Sequence, residues 1–160
     1  MRTKNLKLVP QSLEEVRAMV EAMTLSEKAE LSADWLERLR TSTSADPWVF
    51  GFSMVQLDSG AAVGTCAFKA PPSDGFVEIA YGVAPEHQGK GYATEAAQAL
   101  TNHAFASGNV RVVVAHTRPE PNASTHVLTK CGFRRIGEVI DPEDGLVWRW
   151  EKPIEDAGPA

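Results

Sequence analysis

The sequence predicts an α/β fold, a mixed and largely antiparallel sheet flanked by helices, and three observations carry that expectation. Strand-like and helix-like segments alternate in the order β-α-α-β-β-β-α-β-α-β-β, which suits one sheet with helices packed on it. The 160-residue chain is 43% hydrophobic and 23% charged, enough to bury one core. A glycine-rich junction, Gln88-Gly89-Lys90-Gly91, joins an apolar strand to an alanine-rich helix past mid-chain. The domain is expected over 1–153, with 154–160 as a disordered tail.

Taken in order, Lys4–Pro10 alternates Leu6 and Leu8 with Lys7 and reads as a first strand. Ser12 with Glu15 three residues on is a capping-box start for a helix running towards Met23. A second helical stretch opens at Ser26, with Leu31, Trp35 and Leu39 at four-residue spacing on one face, read as core. The polar run Thr41–Pro47 ends it. Trp48–Leu57 and Ala61–Phe68 read as strands joined at Asp58-Ser59-Gly60. Lys69–Gly75 is a loop, and Phe76–Val83 an apolar strand interrupted by Glu78.

The long helix is expected from Tyr92 to about Ser107, ended by Gly108. Val110–His116 holds four valines in five positions, which favours an enclosed strand. A shorter helix runs from about Asn122 to Lys130. Ile136–Val139 and Leu146–Trp150 form a closing hairpin around Asp141-Pro142-Glu143-Asp144-Gly145.

Composition narrows the function. No run approaches roughly eighteen apolar residues, so no membrane-spanning helix is expected. The first ten residues lack the apolar stretch of a secretory signal. Cys66 and Cys131 are too few for a disulfide framework and too far apart for a paired metal motif, which suits a reducing cytoplasm. None of His87, His103, His116 and His126 shows metal-site spacing, so no metal is expected. The net charge of −5 argues against a nucleic-acid partner.

The segment with chemistry is Val83-Ala84-Pro85-Glu86-His87-Gln88-Gly89-Lys90-Gly91-Tyr92-Ala93-Thr94. Free N–H groups at a helix N-terminus attract anions, and glycines let a bulky anion approach the backbone. A main-chain pyrophosphate cradle and an ordinary glycine turn both fit this junction. A P-loop would need Ser or Thr after Gly89-Lys90, where Gly91 stands. A dinucleotide fingerprint would need glycine at Thr94.

Gln88-Gly89-Lys90-Gly91-Tyr92-Ala93 resembles the Gln/Arg-x-x-Gly-x-Gly/Ala signature of the GCN5-related N-acetyltransferases (GNAT). Glu78–Pro85 is similar to the fourth strand and exit of that family, and Val127–Phe133 to its Gly-Phe turn. The wording resembles the RimJ/RimL-type branch of ribosomal-protein alanine acetyltransferases.

The resemblance implies the GNAT acyl-CoA N-acyltransferase fold and acetyl transfer from acetyl-CoA to a primary amine in a ternary complex. The acceptor would be a protein N-terminus or a small amine. The pyrophosphate would lie on Gly89, Lys90, Gly91, Tyr92 and Ala93, with Gln88 at the mouth. The pantetheine arm would lie along Tyr81 and Val83, where strands four and five splay apart.

Glu78 is the expected base, and a solvent-facing strand residue fits it equally well. Many family members carry Tyr where this chain has Leu128, so Ser124 is the nearest substitute for a group on the leaving sulfur. Asn122, two rather than three residues before Ser124, is expected either to touch the coenzyme or to cap its helix. Pairing of two copies through the closing strands is a further expectation, and a non-catalytic acyl-CoA-binding module is the alternative function.

Overall fold

The computed structural model describes residues 1–43, 46–142 and 144–154. The expected tail, 154–160, lies outside the described residues except for Ile154, as does Glu143 of the closing turn.

The chain runs β1 (Leu6–Pro10), α1 (Leu13–Glu21), α2 (Leu25–Ala29), α3 (Ala33–Thr41), α4 (Pro47–Phe50), β2 (Phe52–Gln56), β3 (Ala62–Phe68) and β4 (Phe76–Val83). A 3₁₀ turn at Pro85–His87 leads to α5 (Tyr92–Ala106), β5 (Val112–Thr117), α6 (Ala123–Lys130), β6 (Arg134–Asp141) and β7 (Gly145–Pro153). The seven strands form one sheet in the order β1-β2-β3-β4-β5-β7-β6. Every neighbouring pair is antiparallel except β4 and β5.

Two expectations about the first half are corrected. The strand expected from Trp48 begins at Phe52, and Pro47–Phe50 is a helical turn. Asp46 accepts a hydrogen bond from the Trp48 N–H and Pro47 takes the first helical position, a pairing that starts helices. Gly51, at φ 78°, then redirects the chain into β2. The single helix expected from Ser26 is two. Thr24 and Glu27 form a capping box that starts α2 earlier, and Ser32 starts α3 by accepting from the Trp35 N–H.

The main core lies between the sheet and α5. Leu6, Leu8, Met54, Val63 and Phe68 are fully buried there with Ala96, Ala97, Leu100 and Ala104 of α5. The small side chains on that helix face let it settle close to the strands. A second cluster joins Val16, Leu39, Val49 and Phe50. Trp35 of the expected stripe packs against it and donates its indole N–H to the Val49 carbonyl at 2.8 Å.

What positions the site is a break in the sheet. β4 pairs with β5 only at Phe76–Val112, Val77–Val113 and Glu78–Val114. Beyond Glu78, β4 continues against β3 alone, while β5 continues against β7. The strands therefore open apart, as expected. A buried hydrogen bond from the Trp150 indole to the Thr117 hydroxyl, 3.0 Å, ties the far end of β5 to β7.

Candidate active site

The opening exposes one edge of β4. The Lys69 N–H donates to the Glu78 carbonyl and the Ala84 N–H to the Val63 carbonyl, both at 2.9 Å. Even-numbered β4 residues thus direct their main chain to β3, and alternation turns that of Tyr81 and Val83 into the opening. The Gln88 side chain reaches back and donates to the Val83 carbonyl at 3.0 Å.

The N-terminus of α5 faces the same space. Among the described residues, each of the other five α-helices is capped by a side chain: Ser12, Thr24, Ser32, Asp46 and Asn122. Gly91, in the left-handed conformation, caps α5 with no side-chain bond. The first N–H groups of the longest helix are therefore left for a ligand or water. Glu95, in its first turn, accepts from Asn5 through both its backbone (2.8 Å) and its side chain (2.9 Å), which pins the helix end to the N-terminal segment. Burial works against the ionised Glu95, but bonds from Thr3 and Asn5 outweigh it and hold its carboxyl below the usual value.

Edge and helix end share a cavity of about 410 Å³, lined by Tyr81–Val83, His87–Gly89, Gly91–Thr94 and the face of α6 bearing Ser124 and Lys130. Among the described residues no carboxylate lines it, whereas His87, His126 and Lys130 do. With the positive end of α5 this makes an anion-accepting hollow beside an unpaired amide edge. Those features fit a long ligand with a pyrophosphate at one end and amides along its arm. They are what coenzyme A carries.

The Tyr81 hydroxyl points across this cavity and donates to the Ser124 carbonyl at 3.4 Å. Burial pushes its phenol up to about 12, a rise only partly offset by that hydrogen bond, so it stays protonated at neutral pH. Leu128 is fully buried, and Cys131 is buried behind it with its thiol directed to the Thr94 carbonyl at 3.6 Å. Burial also raises the Cys131 thiol, against the nearby Lys152.

The opposite face of the sheet carries Glu78, Ala80 and Gly82. Two hollows flank it. One, of about 340 Å³, is bounded by Gln11, Met19, Thr65, Ala67 and Ala80. The other, about 250 Å³, contains Lys69, Glu78, His116 and Arg149. Glu78 Oε2 lies 2.9 Å from His116 Nδ1 and 3.4 Å from Lys69 Nζ.

Of the residues expected from sequence, Tyr81, Val83, Gln88, Gly89, Gly91, Tyr92, Ala93 and Ser124 meet around one cavity. Tyr92 does so from its helix position, for its side chain is buried and its hydroxyl accepts from Gln56 at 2.7 Å. Glu78 stands on the other face. Lys90 and Asn122 are not among the residues lining the cavity. Asn122 caps α6 by accepting from the Thr125 N–H at 3.0 Å. Sequence reasoning missed Lys130, whose signal was its spacing of four from His126 on a short helix, and set His116 and His126 aside. Among the described residues, no group of three His, Cys, Asp or Glu is arranged to hold a metal. No helix among them is long and apolar enough to cross a membrane.

Comparison with known proteins agrees with this geometry. The profile described as "Acetyltransferase (GNAT) domain" matches residues 6–134, well over half of the chain. An uncharacterized N-acetyltransferase, p20 of Bacillus licheniformis, is 33% identical over 93 residues, 58% of this chain and 52% of that protein. The chain thus spans about half the length of the curated relatives it matches.

A GNAT-family acetyltransferase from Bacillus anthracis superimposes with a TM-score of 0.69 at 19% identity, covering 96% of this chain and 97% of that one. RimL, a ribosomal L7/L12 alpha-N-protein acetyltransferase solved with coenzyme A, gives 0.67 at 18% identity, covering 95% and 96%. These likenesses extend the fold over nearly the whole chain, and the profile match establishes that the chain belongs to the GNAT acetyltransferase family.

Proposed function

We propose that this chain transfers the acetyl group of acetyl-CoA to a primary amine by direct attack within a ternary complex. The observation that carries the reading is the carboxylate-free cavity where the uncapped end of α5 meets the unpaired edge of β4. The N–H groups from Gly89 to Ala93 would hold the pyrophosphate, with Gln88 at the mouth and Lys90 and Asn122 as outer contacts. The edge of Tyr81 and Val83 would grip the amide arm. A bound acyl donor supplies a thioester whose carbonyl carbon an amine can attack.

The chain's own groups then have three tasks. A main-chain N–H between Tyr81 and Val83 would stabilise the oxyanion. Glu78, on the other face of the opening, supplies the basic side on which the amine arrives. The Ser124 hydroxyl or the protonated Tyr81 would meet the departing sulfur. The acceptor is a protein N-terminus, as for the RimJ/RimL type, or a small amine. The uncharged hollow of Met19, Thr65, Ala67 and Ala80 suits an acceptor with an apolar body.

Two buried free thiols, Cys66 and Cys131, suit a cytoplasmic location. Exposed Ile136, Ile140 and Leu146 on the closing strands suit a second copy as partner. Titration calorimetry tests the donor site. Acetyl-CoA should bind with micromolar affinity and resist competition by ATP or NAD; competition by either nucleotide, or no binding to the folded chain, would refute the reading.

A further inference from the structure

We infer that His116, oriented by Glu78, is the group that takes the proton from the attacking amine. The inference rests on the acetyl-transfer reading and names the base within it. Glu78 and His116 are 38 positions apart and belong to different strands, yet Oε2 and Nδ1 lie at 2.9 Å. Their meeting follows from the parallel register. Glu78 pairs with Val114, the last pair before the strands part, so His116 stands two residues further along the lip of the opening.

The hydrogen bond decides which nitrogen is available. An ionised carboxylate only accepts, so the proton of a neutral imidazole must sit on Nδ1. The lone pair is then on Nε2. The groups facing this pair are Lys69 from the end of β3 and Arg149 from β7, with Arg149 opposite His116 in the β5–β7 register. Arg149 is itself held by Glu151 at 2.7 Å. Lys69 Nζ, 3.4 Å from Glu78, engages the same carboxylate oxygen that His116 Nδ1 does.

Base strength points the same way. Model carboxylates titrate near about 4.3 and model imidazoles near about 6.5, while amines lie near about 8 to 10.4. An imidazole is the better match for an ammonium-forming nucleophile. In the step, the amine nitrogen bonds to the acetyl carbonyl carbon and the carbon–sulfur bond breaks, its electron pair leaving on sulfur. The nitrogen's surplus proton goes to His116 Nε2 and on to water. The imidazolium is balanced meanwhile by Glu78, which acts as a positioning residue.

The test is the pH profile of thiol release from acetyl-CoA, with the amine that the intact chain acetylates fastest, for the wild type, His116→Asn and Glu78→Gln. Asparagine can still donate to Glu78, and circular dichroism and acetyl-CoA affinity report whether each variant is folded and loaded. In the wild type kcat/KM should rise through two ionisations, one imidazole-like and one the acceptor amine's own. In His116→Asn, kcat at pH 7 should fall by roughly 100-fold or more. The imidazole-like limb should vanish too, leaving only the rise towards the acceptor's own pKa.

Glu78→Gln should keep more activity than His116→Asn and retain the rising limb that His116→Asn loses. A folded His116→Asn with wild-type kcat and the same limb would overturn the assignment. So would a dead Glu78→Gln beside an active His116→Asn, which would make the carboxylate the base. A wild type that releases no thiol with any amine would refute the transferase reading, and the base with it, and is recognised before any variant is made.

Discussion

Replacing Gly91 with alanine separates the conformational role of this glycine from its role as an anion cradle. Gly91 has φ 84°, and a Cβ built on it meets nothing within 4 Å. No clash therefore penalises the free protein. The cost is that of holding a side chain in the left-handed region, about 1–2 kcal/mol. For a chain of this size that lowers Tm by roughly 2–8 °C.

The added methyl projects where an anion would close on the first N–H groups of α5. Loss of one hydrogen bond to a charged group, about 1.5–3 kcal/mol, weakens acetyl-CoA binding roughly 10- to 150-fold. Gly60 is the control, since it has φ 73° and equally open surroundings but lies in the β2–β3 turn. Gly60→Ala should lower Tm comparably and leave affinity unchanged. Calorimetric titration and thermal melts of the three proteins give both quantities. Wild-type affinity in Gly91→Ala would refute the cradle, and equal losses in both variants would show that strain alone is being read.

Two further outcomes follow from the buried hydroxyl and thiol. Tyr81→Phe should reduce kcat on the order of tenfold with little change in acetyl-CoA affinity. That is modest for an acid–base group because a thiolate already leaves readily; unchanged steady-state kcat would exclude Tyr81 from the leaving-group side. Cys66 is pushed up to about 12 by burial, from an ordinary 9.0. A thiol pKa raised on folding stabilises fully below the unfolded value and loses that contribution as pH climbs towards 12. Urea unfolding should therefore show about 2 kcal/mol lost between pH 9 and 10.5, at about 1.36 kcal/mol per unit. The loss should shrink in Cys66→Ala, and an unchanged slope would show that this thiol is not the cause.

Much of this architecture is written in local pattern, and the exceptions share a cause. The strands from Ala62 onward and the two helices beside the cavity follow alternation, caps and glycine stops that short windows contain. Trp48–Phe50 continues an apolar run into β2, so only the Asp46-Pro47 start and the turn at Gly51 divide them. The spacing of Leu31, Trp35 and Leu39 bridges a real break, because Ser32 restarts the helix without disturbing the four-residue rhythm.

At the site, the turn around Gly89 and Gly91 that lines the cavity was legible because glycines mark both a helix start without a side-chain cap and the missing Cβ atoms. The contact between Glu78 and His116 was not. It depends on the register of a parallel pair joined through α5, which no local sequence sets. Asn122 showed the converse: one residue type served two readings, and its bond to Thr125 accounts for the capping half.

The central claim, acetyl transfer to an amine through the opening between β4 and β5, is tested most directly by free-thiol release from acetyl-CoA. Panels of small amines and N-terminal peptides would be offered to the intact chain, and the acetylated acceptor confirmed by mass spectrometry. The account predicts release that at least one amine accelerates well above hydrolysis, with that amine acetylated. Tight acetyl-CoA binding with no amine-dependent release across both panels would contradict it and leave a coenzyme-binding module in its place.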